Sequence, residues 1–150
     1  MLTVSDTRTD ATDTSGRAIK ELLTAAGHHV EGSAIVKDEP ADVIRIVSER
    51  LSRGDIQVII TTGGTGITSR DGTYEAITEL LDKRLDGFGE LFRVISYKEI
   101  GPAAMLSRAV AGTARGKIVV SLPGSENAVR LALRELLIPE LSHLVQQVSK

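Results

Sequence analysis

The chain has 150 residues, 41% of them hydrophobic, which suits one domain spanning 1–150 with a self-sustaining core and leaves no room for a second. Its 18 Lys and Arg against 20 Asp and Glu give a formal charge of −2, so no positive field is available to draw a nucleic acid backbone. The absence of cysteine excludes disulfides, thiolate metal sites and a thiol nucleophile; no apolar run approaches the roughly 20 residues of a membrane span, and a soluble cytoplasmic protein is the expectation.

Leu2 to Ser5 is a short strand candidate, starting so near the first residue that a few natural residues are expected upstream. Ser15 to Ala26 predicts a helix with Ile19, Leu22, Leu23 and Ala26 on one face, and Gly27 sits where a left-handed cap belongs. His29 to Val36 is a weaker strand. Pro40 suits the first turn of a helix that ends before Gly54, with Val43, Val47 and Leu51 on one side. Ile56 to Thr62 is the clearest buried strand. Tyr74, Ile77 and Leu81 mark a third helix, and Phe88, Leu91, Phe92 and Ile95 a fourth. Met105 to Ala114 carries a mixed pattern, read as an edge strand, and Ile118 to Leu122 a continuous apolar strand stopped by Pro123 and Gly124. Ala128 to Leu137 and Leu141 to Val148 make a closing helical pair, broken by Pro139. Strands alternating with helices of this length predict an α/β fold with a largely parallel sheet covered on both faces.

Ligands of such sheets sit beyond the carboxyl ends of the strands, where strand order reverses. The exits are SDTRTDATDTSG, KDEP, GGTGITSRD and PGSEN. In the third, Gly63, Gly64 and Gly66 let amide N–H groups approach an anion, although neither the P-loop nor the GxGxxG spacing is present. The plain alternative is a tight turn that holds nothing. PGSEN places Gly124 or Ser125 at a helix start, where unpaired N–H groups favour an anion. Two glycine-bearing exits, with Ser107 and Arg108 between them in sequence, point to a polyanionic small molecule.

Asp38 and Asp71 leave strands that could be neighbours, and such an oxygen pair suits Mg²⁺ bridging to substrate phosphates. Each could instead cap the helix that follows it. Asp6, Asp10 and Asp13 suit a solvated loop, Asp10 above all. His28, His29 and His143 show no ligand spacing, and no serine sits in a G-x-S-x-G elbow.

The segments TVSD, DTSG, TTGGTGITSRD, GFGELFRVIS, MLSRAVAGTARGK and SLPGSENAV, in this order, resemble the molybdenum cofactor biosynthesis family of MogA and MoaB proteins, related to the gephyrin G domain. The resemblance spans essentially the whole chain, and GFGELFR with LSRAVAGTA is nearer the MoaB branch. It implies a three-layer α/β/α fold, trimers or hexamers built as dimers of trimers, and molybdopterin as ligand. The MogA-like members adenylylate molybdopterin from ATP and Mg²⁺, releasing pyrophosphate. Other molybdenum cofactor biosynthesis proteins are implied partners.

Carried over by that resemblance, Gly63, Gly64, Thr65 and Gly66 match the phosphate-cradling loop, and Asp38 and Asp71 the catalytic, metal-holding acids. Ser107 with Pro123, Gly124 and Ser125 matches the pterin-phosphate side, while Ser5, Asp6, Ser15 and Gly16 match the nucleotide end. Tyr74 stands where the family usually has a proline. The MoaB branch also admits a molybdopterin carrier or docking module without turnover. A CinA-like nucleotide-processing domain shares the fold, and the TGGTG loop argues against it.

Overall fold

A computed structural model describes all 150 residues. The chain forms β1 (Leu2–Val4), α1 (Thr14–Ala25), β2 (Ala34–Val36), α2 (Pro40–Leu51), β3 (Val58–Thr62), α3 (Thr73–Leu80), β4 (Lys83–Arg84), α4 (Asp86–Ile100), β5 (Val110–Ala114), β6 (Lys117–Leu122), α5 (Glu126–Ala132) and α6 (Ile138–Val148). One six-stranded sheet runs in the order β2-β1-β3-β6-β5-β4. Strands β1, β2, β3 and β6 are mutually parallel, and β5 is antiparallel to both of its neighbours.

Alternation along the strands sorts the core into two layers. Ile60, Ala111, Ile118, Val120 and Leu122 face one way, onto Ile19 and Leu23 of α1, Phe92 of α4, Val129 of α5 and Leu141 of α6. Leu2, Val4, Val36, Ile59 and Val119 face the other, onto Val43, Val47 and Leu51 of α2 and Ala76 and Ile77 of α3. The result is the three-layer α/β/α arrangement. Each buried aliphatic side chain contributes roughly 1.5–3 kcal/mol, so these two layers carry most of the driving force.

The chain steps from β1 outward to β2 and then back past β1 to β3. Right-handed crossovers in opposite directions put α1 and α2 on opposite faces. Strand order therefore reverses at β1, and a crevice opens beyond the carboxyl ends of β1 and β3. Val110 of β5 pairs with Ser121 of β6, so the antiparallel β5 delivers its beginning to this same rim.

The structure departs from the sequence reading in three places. His29 to Ser33 is not strand; only Ala34–Val36 pairs, because Glu31, Gly32 and Ser33 just before it are exposed and offer no apolar face. Met105 to Ala114 divides into a 3₁₀ turn, Gly101–Leu106, and β5, which is not an edge: the two-residue β4 pairs beyond it and closes the sheet with the charged side chains of Lys83 and Arg84. Pro139 does not break the closing helices. A π-type turn at Leu133–Leu137 joins them, and widening the coil just before Pro139 absorbs its missing N–H and its ring. Gly27, at φ +88°, ends α1 as expected. No helix is long and apolar enough to cross a membrane.

Candidate functional site

Gly63 follows β3 directly, with its N–H donating to the Leu122 carbonyl at 2.9 Å and φ at +100°. A side chain there would strike the Val4 carbonyl oxygen of β1. Gly64, at φ +69°, receives the Thr73 N–H on its carbonyl at 3.0 Å, which ties the loop to the first residue of α3. Successive left-handed glycines thus turn the chain over the end of β1 and leave backbone, with no side chain, facing the crevice.

The β6 exit lies against this loop. Thr62 Oγ1 donates to the Pro123 carbonyl at 2.7 Å, and Ser15 Oγ to the Gly124 carbonyl at 2.6 Å. Ser125 is the N-cap of α5, accepting the Ala128 N–H at 3.1 Å. Between these segments is a cleft of 220 Å³ whose walls include Ser5, Ser15, Gly63, Gly124 and Ser125, with Arg8 as its cationic side chain. Ser5 Oγ accepts the N–H groups of Thr7 and Arg8 at 3.1 and 2.9 Å, and so shapes the turn that brings Arg8 in. A cavity of 290 Å³ at the opposite rim, between His28 and Gln57, gathers none of these exits.

Two carboxylates bracket the glycine loop. Asp38 Oδ1 is 3.0 Å from where a Cβ on Gly64 would stand, and Asp71 Oδ2 is 2.6 Å from the same point on Gly66. Neither is a helix cap. Helix α2 starts from Glu39 and α3 from Gly72, both without a side-chain capping bond. Asp71 Oδ2 instead accepts the Thr68 N–H and hydroxyl at 2.9 and 2.7 Å; the Thr68 hydroxyl is the main cause holding this carboxyl below its ordinary range. Asp38 moves the other way. Burial raises its pKa, the nearby charges of Asp71 and Asp6 add to that, and the Gly72 amide and Arg70 partly offset them.

Asp6 accepts the Asp38 N–H at 3.1 Å on one oxygen and the Arg70 guanidinium at 2.7 Å on the other, and Arg70 lowers its pKa. Arg70 also reaches Glu39 at 2.8 Å, joining the exits of β1, β2 and β3. Asp13 is not a bystander in a solvated loop: it caps α1 through the Gly16 N–H at 3.0 Å and accepts Thr3 Oγ1 at 2.6 Å. Gly16 is therefore held by Asp13, and a side chain on it would collide with that carboxylate.

Arg108 pins the far side of the loop. Its guanidinium donates to the carbonyls of Thr65 and Gly66 at 3.2 and 2.6 Å, pairs with Glu75, and lies 5.0 Å over the Tyr74 ring. Glu75 is held below its ordinary carboxyl range, chiefly by Arg108. Arg108→Ala is expected to lower unfolding stability by about 2 kcal/mol, since two loop carbonyls lose a charged donor. Urea denaturation measures it. Tyr74 closes this cluster by accepting from Arg84 at 3.2 Å, so the departure at position 74 adds an aromatic floor beneath Arg108.

The structure gathers the predicted residues into one rim. Ser5, Ser15, Gly63, Gly124 and Ser125 meet in the cleft, and Asp38, Asp71, Asp6, Gly64 and Gly66 meet on its flank. Thr65 is buried, and its contribution is its carbonyl. Ser107 stands at the entry to β5 outside the cleft, its hydroxyl buried without a partner. Arg8, Thr3, Thr62 and Thr73 were not anticipated; no local motif marks an isolated Thr or Arg, and only their place at strand ends betrays them.

No group of three or more His, Cys, Asp or Glu forms a metal cage. Asp38 and Asp71 beside a glycine loop suit a Mg²⁺ that arrives on a nucleotide, because Mg²⁺ is commonly held by one or two carboxylates plus phosphate oxygens and water. The Asp38 carboxylate, with a buried Oδ1 that lacks a hydrogen-bond partner, fits that use.

Residues 1–143 match a family model described as "Probable molybdopterin binding domain". A molybdenum cofactor biosynthesis protein B of Bacillus cereus is 51% identical over 151 aligned residues, covering 100% of this chain and 89% of the relative. A crystal structure of molybdenum cofactor biosynthesis protein B superposes with a TM-score of 0.95 at 52% identity, over 98% of this chain and 92% of that one. The tungsten cofactor synthesizing protein MoaB of Pyrococcus furiosus gives 0.87 at 42% identity, over 99% and 94%.

Proposed function

We propose, from the premise that this chain belongs to the molybdopterin binding domain family, that it acts in molybdenum cofactor biosynthesis by binding molybdopterin and adenylylating it with Mg-ATP. One observation carries the proposal: two carboxylates, Asp38 and Asp71, flank a glycine loop and neither serves as a helix cap.

The terminal phosphate of molybdopterin attacks the α-phosphorus of ATP in line; the new P–O bond forms as the bond to pyrophosphate breaks. Such a transfer needs positioning and charge neutralisation and no protein nucleophile. Amides of Gly64 and Thr65 and of the Ser125 turn orient the phosphates, the Gly63 N–H being held by the Leu122 carbonyl, and Arg8 supplies positive charge at the cleft wall. Asp38 and Asp71 would hold Mg²⁺, which neutralises developing phosphate charge. The test is an assay with purified protein, molybdopterin, ATP and Mg²⁺, following adenylylated product and pyrophosphate together. Stoichiometric formation of both, dependent on Mg²⁺, is the expected result; neither appearing would sink the enzymatic reading.

A second reading, a molybdopterin carrier or docking module without turnover, is favoured by the engagement of Asp71 Oδ2 with Thr68. Tight molybdopterin binding without product would select it.

Self-association belongs to the same proposal. Phe88 and Phe92 of α4 pack inward, whereas Leu91 and Val94 are each 55% exposed, and the apolar stripe continues through Tyr97, Ile100 and Met105. A second copy of this chain is the proposed occupant, in a trimer or a dimer of trimers. Val94→Glu is expected to convert the assembly to monomers in sedimentation velocity, since a carboxylate cannot be buried there unpaired. A wild-type chain that sediments as a monomer would overturn it.

A further inference from the structure

Thr73 is fully buried at the start of α3, with its main chain pinned to the glycine loop through the bond from its N–H to the Gly64 carbonyl. Its hydroxyl nonetheless has no hydrogen-bond partner, and neither has Asp38 Oδ1. The two orphan oxygens converge. The point that a Cβ on Gly64 would occupy is 3.0 Å from Asp38 Oδ1 and nearer still to Thr73 Oγ1. Buried hydroxyls are nearly always paired, so a fold with no use for this one would gain by losing it.

We infer that Thr73 is a positioning residue of the cleft: its hydroxyl is the hydrogen-bond partner of the Asp38 carboxylate when ligand is bound, and it fixes how that carboxylate presents its other oxygen to phosphate-bound Mg²⁺. The inference rests on the function proposed above. A carboxylate that holds a cation is itself held by outer groups, and their removal typically costs about 10–100-fold in metal affinity or activity. The Thr73 backbone is already fixed on Gly64, so its hydroxyl is held in the neighbourhood of this carboxylate. The hydroxyl comes from α3 and the carboxylate from the β2 exit, so the contact would also join two segments that the glycine loop separates.

Thr73→Ser and Thr73→Ala, made in the full chain, provide the test. Both lose the methyl, so they share any packing loss and differ by the hydroxyl alone. Thermal midpoints are compared for protein alone, with ATP and EDTA, and with ATP and Mg²⁺, because a ligand that binds the folded state raises the midpoint. The alanine variant is expected to melt no lower than the serine variant when unliganded. With ATP it should need about 10–100-fold more Mg²⁺ to reach the wild-type rise, while the serine variant keeps the wild-type dependence. In turnover, the alanine variant should lose kcat and keep the KM for molybdopterin.

Wild-type Mg²⁺ dependence in the alanine variant would overturn the inference. So would an unliganded alanine variant melting well below the serine variant, because the hydroxyl would then serve the fold. A wild-type protein with no Mg²⁺-dependent rise would remove the Mg-ATP reading itself, and the inference with it, which keeps the two failures distinct.

Discussion

Asp71→Asn is expected to reduce adenylylation by about 10²–10³-fold, the scale seen when an electrostatic contact to a reacting group is removed, while molybdopterin binding stays close to wild type. Asparagine retains a carbonyl oxygen that can accept from the Thr68 N–H and hydroxyl, so the turn that seats residue 71 survives. What disappears is the negative charge beside Gly66. On the proposed reaction that charge draws Mg²⁺ to the phosphates, so kcat falls and the rate responds weakly to added Mg²⁺. Molybdopterin affinity, measured by equilibrium dialysis, depends on the glycine amides and the Gly124–Ser125 turn and should shift little. A variant with full turnover would show that Asp71 serves the Thr68 turn alone. A variant that neither turns over nor binds would show that the turn itself had collapsed.

Gly63→Ala is expected to lower unfolding stability by about 3 kcal/mol, combining roughly 1–2 kcal/mol for a left-handed backbone on a side-chain-bearing residue with roughly 1–3 kcal/mol for overpacking. At this chain length that is a drop in Tm of about 10 °C. The added methyl meets the Val4 carbonyl, a backbone atom that cannot rotate away because β1 is paired on both sides. Gly124→Ala is the internal control. It lines the same cleft, yet its Cβ would sit 3.5 Å from Gly63 Cα, an ordinary contact, and it should melt within a few degrees of wild type. Equal losses in the two variants would mean that the Gly63 backbone is not under the constraint described.

Several site residues were legible because their chemistry is local. Glycines in a strand exit declare a backbone that must turn tightly, and Gly63 and Gly64 both take positive φ. Asp38 and Asp71 are expected to leave neighbouring strands; β1 lies between β2 and β3, yet the two exits still bring both acids beside the glycine loop. Arg8 and Thr73 carry no such signal, and Arg108, read from sequence as a cation for an anionic ligand, is instead occupied by the loop and Glu75. An arginine that spends itself on carbonyls of Thr65 and Gly66 is separated from them by 43 and 42 positions, and only folding reveals the bond. Tyr74 is similar: its ring gains a role only when Arg108 lies over it.

The same division holds for the fold. Period-two and period-3.6 patterns determined that the chain is an α/β protein with a mostly parallel sheet, because a buried strand and an amphipathic helix each repeat their apolar residues at a spacing that chain geometry imposes. The boundaries of α1 and α2 followed from a glycine at the end of one and a proline at the start of the other. Tertiary structure alone decided that β5 runs antiparallel inside the sheet, that a two-residue β4 closes its edge, and that a π-type turn carries the helix past Pro139. Pairing direction and the relief of a missing N–H depend on which distant segment lies alongside, and local propensity is silent on that. It also decided the site's form: the reversal of strand order at β1 gathers three sequence-distant exits into one cleft with the β2 exit on its flank, so the sequence named the parts and packing set the distances between them.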